Sequence, residues 1–413
     1  MTGARVAPPT WRATPTDPAD WFSSDELERA RRYQRPLTVL RLGRSGLKLV
    51  VVAAFVLGQI GPRLVDGLGG GGWVAGLVVV FLALQLANLA YDVPLDAWVD
   101  LVYDRRWGLS TQTGRGLAAD EVKSFLVGLV LGTVVLVPLY AVVRATDWWW
   151  LWGWALVVAF SVVVGFLFPV VVAPIFNRFS PLEDDTLAAR IRAVADRAGA
   201  AISAVQVADA SRRSRRDNAY VAGLGRTRRI VLFDTLLEHP PEVVEQVVAH
   251  EIGHWRLRHI ARQLPLAAGL MLIVFAGLRM LEGSEWLLDV AGLDPERGFG
   301  DPASLPLLML ASQSGLLVVG LVTRWVSRAF ERQADLEALE VLRAPDELIA
   351  MHRRLHVKNL ADLDPGPLKR IMATHPPAAE RMAFAAAWSR LSGSPECPLP
   401  TMSAPVRRAP HRG

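Results

Sequence analysis

The sequence predicts a mainly α fold: a polytopic helical membrane protein of about six transmembrane helices, joined to a small α+β domain. Three observations predict it. Of the 413 residues, 52% are hydrophobic and the mean hydropathy is +0.27, too apolar for an ordinary soluble chain of this length. Six apolar stretches are each long enough, or nearly so, to cross a bilayer core of about 30 Å. A polar segment with helical and strand-like runs lies between the fourth and fifth of these stretches.

The first twenty residues are rich in Pro, Thr and Ala and lack the apolar core of a signal peptide, so 1–20 reads as a disordered leader. The apolar stretches run over 47–60, 73–90, 125–143, 149–172, 264–280 and 305–322. The first is short and extends back toward Leu40. Pro138 and Pro169 lie inside spans, where neighbouring helices compensate the lost hydrogen bond. Residues 21–176 form an N-terminal region of four spans, and 263–323 a transmembrane hairpin. The polar segments 177–262 and 324–391 form the two parts of one domain, with a small sheet near 203–233, and 392–413 is a disordered tail.

Charge sets the orientation. The segment before span one is basic (Arg29, Arg31, Arg32, Arg35, Arg41, Arg44, Lys48), as is the loop between spans two and three (Arg105, Arg106, Arg115, Lys123). The loop between spans five and six is acidic: Glu282, Glu285, Asp289, Asp294, Glu296 and Asp301 against Arg297. All six spans then thread with both termini in the cytoplasm, and the polar domain is cytoplasmic. Trp148, Trp149, Trp150, Trp152 and Trp154 mark the outer interface of span four, as an aromatic belt does. The basic pI of about 9.7 comes mostly from arginine that anchors cytoplasmic loops. No basic-aromatic module for nucleic acid is visible. The single cysteine, Cys397, excludes an intrachain disulfide and a thiolate metal site.

The polar domain carries His250-Glu251-Ile252-Gly253-His254 within a helical run from Val243 to His259. An HExxH of this kind arises by chance in roughly one percent of chains of this composition. At 3.6 residues per turn, His250 and His254 share one face and can hold one Zn²⁺, while Glu251 on the flank can take a proton from the metal's water. His259 lies off that face and receives no role. Two histidines and a water leave one protein ligand to find. Glu331 and Asp335, one turn apart in the helical run after span six, fit a ligand and a brace for a liganding imidazole. They fit equally well a solvated helix with Glu–Arg pairs, and spacing does not choose between them.

These motifs, in this order, resemble the type I CAAX prenyl protease family of membrane metalloproteases. HExxH is followed, after a hydrophobic hairpin, by Ser327-Arg328-Ala329-Phe330-Glu331-Arg332-Gln333-Ala334-Asp335, which is similar to the family's SRxxExxAD. The stretch Asp104 to Thr113 resembles its loop ending in GFNxQT, and Pro174 to Leu182 its PxFNxFxPL. Asn218-Ala219-Tyr220 matches NAY, and Thr374-His375-Pro376-Pro377 with Arg381 matches its HPP-x3-R ending. The similarity runs from about Trp21 to Leu391.

The resemblance implies a zinc-dependent integral-membrane endopeptidase with one Zn²⁺ per chain, held by His250, His254 and Glu331. It implies Glu251 as general base and Asp335 as partner of a liganding histidine. It places Asn218 and Tyr220 in the substrate cleft, and His375 and Arg381 beside the tetrahedral intermediate. The expected partners are a peptide or protein substrate, lipidated or membrane-bound, and the lipid bilayer, with no nucleic acid. The expected location is a multi-pass membrane protein, in the plasma membrane if the source is bacterial, with its site facing the cytoplasm. The resemblance implies processing of prenylated C-termini. An HtpX-like quality-control protease is the alternative within the class, and a non-catalytic membrane scaffold the alternative outside it. The family's eukaryotic members have an extra leading span, and a water-filled intramembrane chamber that six spans need not close.

Overall fold

The computed structural model describes residues 16–223 and 228–392. Within the expected leader, residues 16–20 are ordered. The Asp17 side chain caps a 3₁₀ turn, Pro18–Asp20, and the Trp21 indole donates to Thr16 Oγ1 at 2.7 Å. Residues 1–15, and the tail from 393 with Cys397, lie outside the described residues.

Helix α1 (Ser24–Leu57) opens on a capping box between Ser23 and Glu26. It is much longer than the short span expected at 47–60, because the arginine-rich segment before the apolar run is itself helical. Gly58 and Gln59 break it. Gln59 takes a left-handed conformation (φ 47°), and α2 (Ile60–Asp66) departs at 55°. Helix α3 (Gly72–Ala97) runs through a π-helical stretch, Trp98–Tyr103, into α4 (Asp104–Arg106), so the expected basic loop begins as helix. Helix α5 (Gly114–Ala145) is capped by Thr113. Helix α6 (Trp149–Leu167) continues through a π-helical stretch containing Pro169 into α7 (Ala173–Phe176).

The cytoplasm-predicted domain begins with β1 (Phe179–Pro181), α8 (Asp185–Arg197) and β2 (Ala204–Ala208). Then come β3 (Ala219–Ala222), β4 (Arg229–Phe233) and α9 (Pro241–Arg256). The sheet order is β1-β2-β4-β3. The two expected strands, β2 and β4, pair in parallel, and β3 returns antiparallel as an edge strand. Side chains alternate across the sheet. Val205, Ala219, Ile230 and Leu232 join the main core, while Ala208, Tyr220, Ala222 and Val231 pack on the far face. Helix α10 (His259–Leu281), α11 (Glu285–Val290) and α12 (Leu305–Leu342) make the hairpin, and α13 (Pro345–Lys358), α14 (Pro367–Met372) and α15 (Ala378–Ser392) complete the domain.

Among the described residues, five helices, or six with the bent α1–α2 pair, are long and apolar enough to cross a membrane. The protein is an integral multi-pass membrane protein. Its long helices pack in the order α1–α3–α5–α6–α10–α12 and back to α1, with α3 also touching α12. The most apolar window of the α6–α7 span has no buried residue. The end away from the small domain is packed shut by Trp149, Phe275, Leu288, Phe299 and Leu307. Tyr140 and Ser304 share a hydrogen bond of 2.9 Å there, and Arg144 donates to the Gly300 carbonyl at 2.8 Å. The other end carries the small domain. Helix α12, about 57 Å long at 1.5 Å per residue, belongs to both.

Candidate metal centre

Helix α9 is buried along one face by Val244, Val248 and Ile252, which pack with α8 and the sheet. Its other face meets α12. Gly253 sits at the crossing, where an added Cβ would stand 3.1 Å from Glu337 Cβ and 3.2 Å from both Cα and the carbonyl oxygen of Ala334. Only a residue without a side chain lets the two backbones approach so closely.

The close approach brings His250, His254 and Glu331 together, with ligand atoms all within 4.8 Å of one another. The two Nε2 atoms are 3.1 Å apart, and the Glu331 carboxylate is 3.4 Å from one and 3.3 Å from the other. Tetrahedral zinc with bonds of about 2.0–2.1 Å needs ligand separations of about 3.4 Å. Glu331 Oε2 is buried without a hydrogen-bond partner. The Glu331 carboxylate faces both imidazole nitrogens, Oε2 toward His250 and Oε1 toward His254, with Arg381 Nη1 also 3.3 Å from Oε2. Two imidazoles and a carboxylate so placed are a donor set that a divalent cation satisfies, so the residues fit a metal.

Each histidine is oriented from behind. Asp335, fully buried, stands 3.0 Å from His250 Nδ1 and accepts two hydrogen bonds from Arg381, at 2.6 and 2.7 Å. With the Nδ1 proton held by Asp335, the Nε2 lone pair faces Glu331. Without metal, burial works against charging His250, but the bonds to Asp335 and Glu331 outweigh it and push its pKa up to about 9.

His254 is braced by His259, which sequence reasoning left without a role. The two Nδ1 atoms are 2.9 Å apart, and His259 Nε2 is 3.0 Å from Gln333 Oε1. Gln333 Oε1 can only accept, so His259 carries its proton on Nε2 and accepts at Nδ1 from His254. This leaves the His254 Nε2 lone pair in the cluster. The His259 ring stacks on Phe330 at 4.2 Å. The signal was in the sequence: His259, Phe330 and Gln333 surround motif residues, but their contact depends on how α10 and α12 pack.

A cavity of about 250 Å³ opens in front of the cluster. His250, Glu251, Glu331, Asn218, His375 and Arg381 all border it. Burial raises the pKa of Glu251, countered in part by His250 and His254. Asn218 is exposed at the start of β3, with its side-chain oxygen accepting from the Ala219 amide at 2.9 Å. Tyr220 does not border the cavity. It packs with Ala208, Ala222 and Val231 on the far side of the sheet. His375 is 58% exposed at the rim, with Nε2 3.3 Å from Glu331 Oε1. Arg381 is buried, its guanidinium committed to Asp335 and 3.3 Å from Glu331.

Two cavity residues went unnoticed in the sequence. His352 on α13 lies 3.3 Å from Asp335 Oδ1, and His356 donates its Nδ1 proton to the His352 carbonyl. Burial, with Arg381 nearby, pushes His352 down to about 4, and burial with His352 and Arg381 pushes His356 down to about 3. Their spacing on an amphipathic helix looked no different from that of any surface helix.

The fold and the site define an integral-membrane metallopeptidase. Residues 181–389 match the family described as Peptidase family M48, and residues 10–178 match the CAAX prenyl protease N-terminal, five membrane helices. The chain belongs to peptidase family M48. It is 29% identical over 399 residues to the uncharacterized metalloprotease YhfN of Bacillus subtilis, covering 93% of this chain and 91% of that one. It is 30% identical over 320 residues to CAAX prenyl protease 1 of Saccharomyces cerevisiae, covering 72% and 69%. The crystal structure of S. mikatae Ste24p shares the fold, with a TM-score of 0.79 at 24% identity, covering 91% of this chain and 92% of that chain. A quality-control protease of the HtpX type is not favoured by these matches.

Proposed function

We propose that the protein is a zinc metalloendopeptidase in which His250, His254 and Glu331 hold one Zn²⁺ and Glu251 is the general base. The observation that carries this is the triangle of two oriented imidazole nitrogens and the Glu331 carboxylate beside Glu251. Zinc bound there supplies a Lewis acid for the scissile carbonyl and lowers the pKa of its water toward about 7. Glu251, at the cavity wall with its proton affinity raised by burial, accepts the proton of the attacking water and delivers it to the leaving amine. His375, at the rim, donates to the oxygen that becomes negative. Arg381 acts from behind, by holding Asp335 and through it His250.

The free edge of β3 runs from Asn218 at the cavity, so an extended substrate strand adds there and passes the cluster. We place the site on the cytoplasmic side, from the loop charges, and assign substrates of the prenylated C-terminal type, from the relatives named CAAX prenyl protease 1. Glu251→Gln tests the catalytic assignment. The variant should retain one zinc per chain and the parent fold while hydrolysing peptide at least about a thousandfold more slowly. Activity within roughly tenfold of the parent would mean that another group takes the proton.

A further inference from the structure

Helix α14 presents apolar side chains for which the domain has no use. Leu368 is 68% exposed, Ile371 52% and Met372 40%. The segment leads directly into His375 at the rim of the cavity. Three exposed aliphatics in one short helix, beside the entrance to a site, require a cover.

The position of α14 says what covers it. It packs on α12, and the Arg328 guanidinium donates to the carbonyls of Ile371 and Ala373, at 3.0 and 2.7 Å. Arg328 is six residues past Val322, where the apolar run of α12 ends, or about 9 Å along the helix. The neighbouring helix gives an independent landmark. His259, stacked on Phe330, lies five residues before the apolar run of α10 begins at Leu264, or about 7.5 Å. The polar zone of a bilayer is about 5–8 Å deep on each side of the hydrocarbon core. The two landmarks therefore set α14 at the outer edge of the headgroup zone, within a side chain's length of it. The exposed apolar side chains Trp325 (68%), three residues nearer the apolar run than Arg328, and Ile260 (85%), next to His259, mark the same zone on the two helices.

Charge is not what recognises this cover. Lys369 is paired with Asp362 at 2.7 Å, and Arg370 with Glu380 at 3.5 Å. The surface is apolar with its cations already satisfied, which suits the boundary between headgroups and acyl chains rather than an anionic partner.

We propose that α14 is an interfacial element that dips Leu368, Ile371 and Met372 into the adjacent leaflet of the bilayer, fixing the mouth of the metal site at the membrane surface. Its depth can be read without any assay of hydrolysis, so the result is independent of the zinc assignment. Cys397 is changed to Ser, and single cysteines carrying a nitroxide replace Leu368 or Ile371 in the full chain. Val163, 52% exposed on α6, serves as the lipid reference once its own label proves open to oxygen and closed to nickel, and Thr186, exposed on α8, as the aqueous one.

In lipid nanodiscs of phosphatidylcholine and phosphatidylglycerol, collisions with oxygen and with a water-soluble nickel chelate are compared. Labels at 368 and 371 should collide with nickel at least about threefold less than the label at 186, while staying as open to oxygen as the one at 163. Nickel accessibility above that limit at either position would put α14 in water and overturn the proposal. Protection from both reagents would show a protein cover, such as a second copy of this chain, and would equally overturn it. All four positions are exposed, so labelling leaves the fold intact. Parent-like thermal unfolding of each labelled protein checks this.

Discussion

Asp335 Oδ1 stands 3.0 Å from Nδ1 of His250, on the opposite side of the ring from the nitrogen that faces Glu331. The same carboxylate takes both hydrogen bonds of Arg381, so one buried anion orients a histidine and neutralises a buried cation. His259 does the corresponding work for His254 without any charge.

These two braces should be measurable as metal affinity. Asp335→Asn and His259→Leu are each expected to weaken zinc binding by about 10–100-fold, read by competition with a chelator. Asp335→Asn should also lower thermal stability, because Arg381 is left buried beside a neutral group. Unchanged affinity in both variants would reduce the braces to ordinary packing.

Gly253 offers a contrast between helix propensity and geometry. Replacing glycine by alanine in a helix interior gains about 1 kcal/mol on propensity alone. At this position the new methyl meets the backbone of Ala334, which cannot turn aside, so α9 must shift away from α12. Gly253→Ala is expected to bind zinc more weakly despite its better helix former. A variant with parent affinity and a higher melting temperature would show that the crossing has slack.

Metal uptake should be coupled to a proton. In the metal-free protein His250 holds its proton up to about pH 9, and zinc needs the neutral ring. The protonated form dominates below that value, so affinity must fall as pH falls. Between about pH 7 and 9 the apparent affinity should rise about tenfold per unit, with one proton released per ion in calorimetry carried out in buffers of different ionisation enthalpy. A flat profile across this window would mean that Asp335 and Glu331 do not hold His250 charged.

The orientation of the site rests on the charge pattern of the loops, basic beside α1, α3 and α5 and acidic between α10 and α12. In a chain with Cys397 replaced, a cysteine at Glu285 should react with a membrane-impermeant thiol reagent on intact cells, and one at Ser203 only after lysis. The reverse pattern would place the protease outside the cell and remove prenylated cytosolic proteins as substrates.

The membrane spans and the metal cluster were legible because each is written in a local period. Apolar runs mark spans, and HExxH places two rings on one face whatever surrounds them. Glu331 and Asp335 were ambiguous until α12 was seen to cross α9, since a carboxylate pair one turn apart serves a solvated helix equally well. Tyr220 was grouped with Asn218 through the NAY resemblance, yet it packs on the far face of the sheet, while Ala219 and Asn218, which precedes the strand, border the cavity. The long helical start of α1 was hidden by its arginines, which read as loop charge but sit on a capped helix that buries Ala30, Tyr33 and Leu37.

The division of the cluster between α9 and α12 has a consequence for biogenesis. His250 and His254 emerge from the ribosome before the α10–α12 hairpin, and Glu331 only after it. The three come together only when that hairpin has crossed the bilayer and returned. A nascent or mislocalised chain therefore carries two histidines and no complete site. Assembly of the site is thereby tied to insertion of the hairpin.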